Sequence, residues 1–182
     1  MASRWLDTAM LPQTEHALVA LARQAIRRYL TTGKRLELTD ELSAEWQKPA
    51  GAFMSLTQHG KLRGCIGTCM ATQLSLVHEI IQNAVAAATA DPRFPPIRLN
   101  DLAEMDISVD VLSPPEKIAS DAQLDPRRYG VIVRSGMRRG VLLPDIPQVT
   151  TAAQQLAISH RKAGIRPDEP VELYRFEVMR YH

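Results

Sequence analysis

The chain has 182 residues, of which 45% are hydrophobic and 23% are charged. These values are typical of a folded domain with a sizeable core, and they exclude an intrinsically disordered chain. The formal net charge is only +2, and acidic and basic residues are interspersed along the chain. We therefore expect neither nucleic acid nor an anionic membrane as a partner.

The lack of a recognisable targeting signal and the presence of only two cysteines favour a cytoplasmic protein with reduced thiols. Residues 1–12 lack the apolar run of a signal peptide, and no segment approaches the roughly 20 apolar residues that cross a bilayer. Cys65 and Cys69 would lie about 13 Å apart in a straight strand, and a disulfide needs Cα atoms closer than about 7 Å. The five histidines lack metal-ligand spacing and the glycines match no phosphate-binding loop, so we expect no metal and no cofactor.

The first predicted element is a helix from about Thr14 to Leu30, in which apolar residues recur at helical spacing on one side. Thr14 is the expected N-cap, and Gly33 is expected to end the helix. The following segment, residues 34–49, is polar and lacks a repeating pattern. We interpret it as a connection that contains one short turn of helix around Asp40–Trp46.

A β-hairpin and a second helix are predicted next. Gly51–Thr57 and Leu62–Gly67 are rich in strand-forming residues and flank a turn at residues 58–61. Ser75–Ala90 has the clearest helical stripe in the sequence, and its alanines allow close approach to a sheet. This helix is expected to end at Asp91–Pro96, because the residue before proline disfavours helical geometry and proline supplies no N–H.

The second half of the chain favours further antiparallel strands. Asp106–Leu112 alternates polar and apolar residues, which indicates a strand with one face exposed to solvent. Residues 116–129 are interpreted as a loop. Tyr129–Arg134 and Gly140–Leu143 are predicted to form a second hairpin.

A third helix and a closing strand complete the predicted fold. Thr150 or Thr151 is expected to cap the helix and Gly164 to end it, and the strand runs from about Val171 to Met179. Strands in hairpins with interspersed helices, without a regular β-α-β alternation, favour an α+β fold. We expect a mostly antiparallel sheet with flanking helices.

The strand Leu62–Gly67 carries the residues with most chemical potential. Simple alternation places Arg63, Cys65 and Gly67 on one face, where a guanidinium would stabilise a neighbouring thiolate. Gly64 and Gly67 leave room for a ligand or for another backbone segment. However, cysteine also packs as a small buried residue, and strand glycines also mark bulges. Both a reactive and a structural Cys65 are compatible with the sequence.

Arg93 lies in the proline-rich segment that ends the second helix. One interpretation is a structural pair with a nearby acid such as Asp91. The other is an anion clamp, because a guanidinium binds carboxylate or phosphate through two parallel hydrogen bonds. The sequence favours neither interpretation.

Five segments carry a family resemblance: Gly51–Phe53 (GAF), Leu62–Gly67 (LRGCIG), Asp91–Pro96 (DPRFPP), Gly140–Asp145 (GVLLPD) and Lys162–Ile165 (KAGI). With these segments the sequence resembles the AMMECR domain family, whose bacterial and archaeal members are called AmmeMemoRadiSam system protein A. The resemblance extends from about Thr14 to Arg180, and Leu62–Gly67 is its most specific motif. Thr150 departs from the family pattern, in which an aspartate is expected before the helix.

The resemblance implies a single domain over residues 1–182, with a core of about 14–180 and two lobes around a β-sheet. It also implies two partners, a Memo-type protein that resembles extradiol dioxygenases and a radical S-adenosylmethionine enzyme. The family brings no settled catalytic activity. Its signature motif is a suspected functional site, which here assigns that role to the following residues: Arg63, Gly64, Cys65 and Gly67, with Arg93 as a neighbour.

Two functional hypotheses follow. In the first, a cleft beside Leu62–Gly67 binds or modifies a small, anionic ligand, with Cys65 as the reactive thiol and Arg63 or Arg93 as the anchor. In the second, the motif is structural, and the protein is a non-catalytic adaptor that docks the Memo-type partner. The sequence leaves open whether the protein is an enzyme.

Overall fold

The computed structural model describes residues 15–38 and 46–182. Within these ranges the chain contains helices and antiparallel sheets, which confirms the predicted α+β class. The chain divides into two compact units, Met1–Val111 with Arg180–His182 and Leu112–Met179.

The described elements, in chain order, are α1 (Ala17–Thr32), β1 (Ala52–Gln58), β2 (Lys61–Thr68), α2 (Leu76–Thr89), a 3-10 helix (Leu99–Glu104), β3 (Met105–Leu112), β4 (Glu116–Ile118), a second 3-10 helix (Asp121–Gln123), β5 (Gly130–Ser135), β6 (Arg138–Leu142), α3 (Ala152–Ala163), β7 (Glu172–Phe176) and β8 (Val178–Tyr181). Of these helices, none is both long and apolar enough to span a membrane.

The core of the first unit lies between one face of a sheet and two helices. The strand order in this sheet is β2-β1-β3-β8, and β1 pairs antiparallel with both β2 and β3. Helices α1 and α2 pack together, and α2 contacts β1 and β2. The predicted alternation of Asp106–Leu112 is confirmed for Ile107 and Val109, which are buried in the core, and for Asp106, which is exposed. Asp110 differs from the prediction, because it is only 2% exposed and is paired with Arg180.

The second unit repeats this arrangement with a single helix. Its strand order is β4-β7-β5-β6, all pairs are antiparallel, and α3 packs on β5 and β6. Val131, Val133 and Ile165 form part of its buried core. Gly140 allows α3 to lie against β6, because a Cβ at this position would lie 1.9 Å from the carbonyl oxygen of Ser159.

Most helix ends follow the predicted capping residues. Gly33 ends α1 with a φ of 69° and donates its N–H to the carbonyl of Tyr29 at 2.8 Å. For α2 no cap was predicted; Ser75, the first residue of the predicted range, is its N-cap, and the Ser75 hydroxyl accepts the N–H of His78. Thr151 is the cap of α3, where it forms a capping box with Gln154.

The start of α1 differs from the prediction. The helix begins at Ala17, and the Nδ1 of His16 accepts the N–H of Leu18 at 3.2 Å. The imidazole of His16 is thus the N-cap of α1, where the sequence predicted the hydroxyl of Thr14. The predicted cap Thr14 lies outside the described residues, as do residues 40–45 of the predicted turn.

Two strand predictions in the second half were wrong. The predicted closing strand Val171–Met179 is two strands, β7 and β8, which belong to different sheets. The break falls at Glu177, whose N–H and carbonyl bond to the hydroxyl and N–H of Ser113 instead of a sheet partner. The predicted loop at 116–129 contains β4, which is too short to show a repeating pattern.

Gly64 sets the spacing between α2 and the edge strand β2. A Cβ at Gly64 would lie 2.1 Å from the carbonyl oxygen of Ala87, which belongs to the helix backbone and cannot move aside as a side chain could. The register of β1 and β2 also shifts next to this point, between Leu56 and Thr57. Close helix packing therefore requires glycine at position 64.

We expect Gly64→Ala to destabilise the protein by about 1–3 kcal/mol, because the added methyl group forces α2 away from β2. Denaturant unfolding would measure the change. Lys61→Ala, an exposed position on the same strand, is the control and should stay within about 0.5 kcal/mol of the parent. Equal stability of Gly64→Ala and the parent would contradict this account of the glycine.

Candidate functional site

Cys65 lies on the edge strand of the first sheet, on the face opposite the two helices. It pairs with Ser55 of β1, which in turn pairs with Ser108 of β3, so these three side chains form a row across the sheet. The neighbours of Ser55 along β1, Met54 and Leu56, point into the core. Cys65 itself is half-buried, and its Sγ accepts the Ser55 hydroxyl at 3.4 Å. The thiol is thus placed on a polar face.

The carboxylate of Asp91 binds the backbone of Cys65. Its Oδ2 accepts the N–H of Cys65 at 2.9 Å and the Nη2 of Arg93 at 2.7 Å. Its Oδ1 accepts the backbone N–H of Arg93 at 3.1 Å and the Nε at 2.9 Å. The side chain is only 2% exposed, yet the hydrogen bond from Arg93 and the other donors hold the pKa of Asp91 well below its usual range. This carboxylate is therefore buried and ionised.

Arg93 completes a cap on the open edge of β2. Its Nη2 also donates to the carbonyl oxygen of Cys65 at 2.9 Å, and its guanidinium lies 5.3 Å from the ring centroid of Phe94. Asp91 and Arg93 together thus satisfy both the N–H and the carbonyl of Cys65, as a further strand would. The pKa of Arg93 is raised chiefly by Asp91, and Cys65 makes a smaller contribution in the same direction.

Of the two interpretations of Arg93, the structural pair with Asp91 is found. The guanidinium nevertheless remains 56% exposed, so one side of it faces solvent. Its role as an anion clamp stays a prediction.

Arg63 lies at an irregularity in the pairing of β1 and β2. Thr57 pairs with Leu62 and Leu56 with Gly64, which leaves Arg63 as an extra residue without a partner on β1. At this irregularity, simple alternation does not fix the direction of the Arg63 side chain. The Nη1 of Arg63 donates to the Oε1 of Gln58 at 2.6 Å, whereas the guanidinium bonded to Cys65 is that of Arg93. Binding of a ligand by Arg63 stays a prediction.

The space beside both motif glycines is filled by protein atoms. Gly64 faces the backbone of α2, and a Cβ at Gly67 would lie 2.2 Å from the Cγ of Phe53. The aromatic ring thus lies directly over Gly67. Both glycines have a packing role in the structure, and contact with a ligand stays a prediction for each.

Glu79 is a further residue of this region that sequence reasoning missed. It is fully buried on α2, and its carboxylate accepts the hydroxyl of Thr68 at 2.5 Å and the N–H groups of Thr72 and Gln73 at 2.7 and 2.9 Å. Burial alone would raise the pKa of Glu79, but these hydrogen bonds together outweigh it, and the pKa is lowered. Glu79 thus fixes the segment that follows β2. Its signal in the sequence was a glutamate one turn before Asn83, which is also buried.

The surroundings of the motif contain neither a metal cluster nor one of the two cavities described below. Across residues 15–38 and 46–182, no group of three or more histidine, cysteine or acidic residues is placed to hold a metal ion. Two surface cavities have volumes of about 210 and 260 Å³, and neither is lined by a residue of Leu62–Gly67. The predicted cleft beside the motif is therefore not one of these two.

Comparison with known proteins agrees with the resemblance noted in the sequence. The sequence model of the AMMECR1 family matches residues 19–181. A protein of Thermotoga maritima is 48% identical over 92% of this chain and 98% of its own length. A protein of Clostridium acetobutylicum is 41% identical over 93% of this chain, but the match spans only 36% of that longer protein.

A solved structure shares the fold. The crystal structure of the uncharacterized protein PH0010 from Pyrococcus horikoshii superposes with a TM-score of 0.81 and 35% sequence identity. The match covers 90% of this chain and 88% of that one. The agreement of the family model, the sequence relatives and this structure shows that the chain belongs to the AMMECR1 family.

Proposed function

We propose that the Cys65 region binds a small anionic ligand and that the Cys65 thiolate is the group that reacts with it. The observation that supports this proposal is the guanidinium of Arg93, which Asp91 holds against the Cys65 backbone. A guanidinium that is bonded to the backbone of Cys65 attracts an anion towards the half-buried thiol of the same residue.

The hydrogen bonds of Arg93 leave part of its guanidinium available. Asp91 and the Cys65 carbonyl engage Nε and Nη2, while Nη1 has no protein hydrogen-bond acceptor among the described residues. The exposed side of the guanidinium can therefore donate to a carboxylate or phosphate without loss of the structural pair. The proposed anchor is Arg93, because Arg63 donates to Gln58 instead.

Alkylation by two reagents of similar size tests this proposal. In a Cys69→Ser background, Cys65 should react with anionic iodoacetate faster, relative to neutral iodoacetamide, than a free thiol does. Arg93→Gln should lower this rate ratio about fivefold, which corresponds to the roughly 1 kcal/mol of attraction between unit charges about 4 Å apart in water. Rates would be measured by mass spectrometry of the intact protein.

Arg63→Gln is the matched control, because it removes the guanidinium of the motif strand and keeps Arg93. It should leave the ratio unchanged, and a larger fall than in Arg93→Gln would assign the anchor to Arg63. A Cys65 that reacts with neither reagent in the folded protein would eliminate the reactive-thiol proposal. Circular dichroism of each variant would show that the fold is retained.

The pH dependence of stability tests the role of Asp91. Its lowered pKa means that the folded protein favours the ionised carboxylate, so this contribution is complete above the unfolded pKa of about 3.9 and decreases as the pH falls below it. We expect Asp91→Asn to be less stable than the parent at pH 7, with a difference that shrinks below about pH 4. Denaturant unfolding at several pH values would measure it.

Asp106→Asn is the control for this series, since Asp106 is exposed on β3 of the same sheet. It should change stability little at any pH. A difference for Asp91→Asn that is the same at pH 7 and pH 3 would contradict the assignment of a buried, ionised carboxylate.

A second candidate function is that of an adaptor, and the segment after β2 favours it. Met70 and Leu74 are 56% and 89% exposed, on a segment that the buried Glu79 fixes in place. Exposed apolar side chains on a rigid segment are typical of protein-protein contacts. The proposed partner is the Memo-type protein, and the radical S-adenosylmethionine enzyme is the other partner that the family resemblance implies.

Pull-down with a purified Memo-type protein separates the two functions. If the adaptor function is correct, Leu74→Ser should weaken binding roughly tenfold, because the apolar contact is lost, while Cys65→Ser leaves binding unchanged. Met137→Ser is the control, as Met137 is 99% exposed in the turn between β5 and β6. Equal binding by the parent and Leu74→Ser would contradict docking through this segment.

A further inference from the structure

The second unit contains a polar cavity that is lined by none of the motif residues. Its volume is about 210 Å³. The residues that line it and are used below are Glu116, Arg128, Tyr129, Arg175, Phe176 and Glu177. All of them belong to Leu112–Met179.

An aromatic ring with two guanidinium groups forms one part of this cavity. The guanidinium carbons of Arg128 and Arg175 lie 4.9 and 4.4 Å from the ring centroid of Tyr129. Phe176 is 1% exposed, and its ring fills the space beside Gly130, where a Cβ would lie 2.2 Å from it. Cation-π contacts with Tyr129 thus place both arginines at the cavity.

Each arginine is paired with a glutamate through one nitrogen only. The Nε of Arg128 donates to the Oε1 of Glu177 at 2.7 Å, and the Nε of Arg175 donates to the Oε2 of Glu116 at 3.2 Å. The Nη1 of Arg175 donates to the carbonyl of Gln123 at 3.0 Å. Among the described residues, the other oxygen of each glutamate and the Nη2 of each arginine have no protein hydrogen-bond partner.

The cavity therefore offers unused donors and unused acceptors with full charges of both signs. A simple anion would satisfy the guanidinium nitrogens but would lie against two carboxylates. A simple cation would have the converse problem with the two arginines. A ligand that carries a carboxylate and an ammonium group on neighbouring atoms satisfies both kinds of group and leaves no net charge.

We propose that this cavity binds a small zwitterion of the α-amino acid type. Its carboxylate accepts from Arg175 and Arg128, and its ammonium donates to the free oxygens of Glu177 and Glu116. The glutamates are 52% and 67% exposed, and exposed ion pairs of this kind contribute little to stability. The pairs can therefore adjust to a ligand without unfolding the unit.

Three probes of nearly equal size test the proposal on the full chain. L-Alanine carries both charges, propionate lacks the ammonium, and ethylammonium lacks the carboxylate. Titration followed by ¹H–¹⁵N NMR at the arginine Nε–H groups and the Gly130 amide should show saturable binding of L-alanine. Binding of the other two probes should be roughly tenfold weaker or more, since each leaves charged groups unpaired.

Two variants with one matched control locate the site. Arg175→Gln should weaken L-alanine binding roughly tenfold. Glu177→Gln, at a position that is more exposed than Arg175, should reduce the preference for L-alanine over propionate. Arg134→Gln is the control, because Arg134 also pairs with a glutamate and lies 5.5 Å from the ring of Tyr174, but does not line the cavity. It should leave both quantities unchanged.

Three outcomes would overturn the proposal. The first is the absence of saturable shifts with L-alanine in the parent protein. The second is equal affinity for propionate and L-alanine, which would leave the glutamates without a role. The third is unchanged binding in both Arg175→Gln and Glu177→Gln, which would place the zwitterion elsewhere on the protein.

Discussion

The buried carboxylate of Asp91 is the contact on which the geometry of the Cys65 region depends. An edge strand leaves its outer N–H and carbonyl groups without partners, and such groups either pair with another chain or need a cover. Asp91 supplies an acceptor for the N–H of Cys65, and through Arg93 it supplies a donor for the carbonyl. The backbone of Cys65 is fixed in this way, while its thiol remains on the polar face of the sheet.

Helix α2 and the segments at its two ends hold the whole motif strand. Gly64 lies against the backbone of α2, Cys65 is bound by Asp91 just after the helix, and Thr68 donates to Glu79 in its first turn. These contacts occur at intervals along one strand, and together they fix the position of β2 against the helix. The stretch of sequence from the motif strand to Asp91 thus behaves as one structural unit. In this arrangement the edge strand bonds to Arg93 through the backbone carbonyl of Cys65.

The sequence predicted those parts of the fold in which one pattern dominates locally. The stripe of α2, its end at Asp91, the first hairpin and the alternation of β3 depend on neighbouring residues only, and their predicted bounds agree closely with the structure. The split between β7 and β8 was not predictable, because the apolar alternation of Tyr174, Phe176 and Val178 continues through it. Only the bonds of Glu177 to the distant Ser113 mark the break.

The sequence identified the segments that form the candidate site but not the contacts between them. The motif and the DPRFPP segment were identified, yet simple alternation paired the thiol with Arg63. A one-residue register shift, which depends on how β1 and β2 meet, falls at Arg63, and the guanidinium of this residue bonds to Gln58. The bond between Asp91 and the Cys65 backbone joins residues 26 positions apart and depends on the full path of α2. Contacts of this kind follow from tertiary packing and have no local signature.

The two arginine-acid arrangements of the protein differ in a way that separates structure from binding. The carboxylate of Asp91 is buried and accepts four hydrogen bonds, so no ligand cation could use it, and only the outer side of Arg93 remains available. The ion pairs of Arg128 with Glu177 and of Arg175 with Glu116 are exposed. In each pair the glutamate accepts one hydrogen bond from the arginine, through one of its two oxygens. A saturated, buried pair stabilises the fold and presents a single charge. An unsaturated, exposed pair adds little to the stability of the fold but presents donors and acceptors together. The number of unused hydrogen-bonding groups therefore determines which kind of ligand each proposed site can hold.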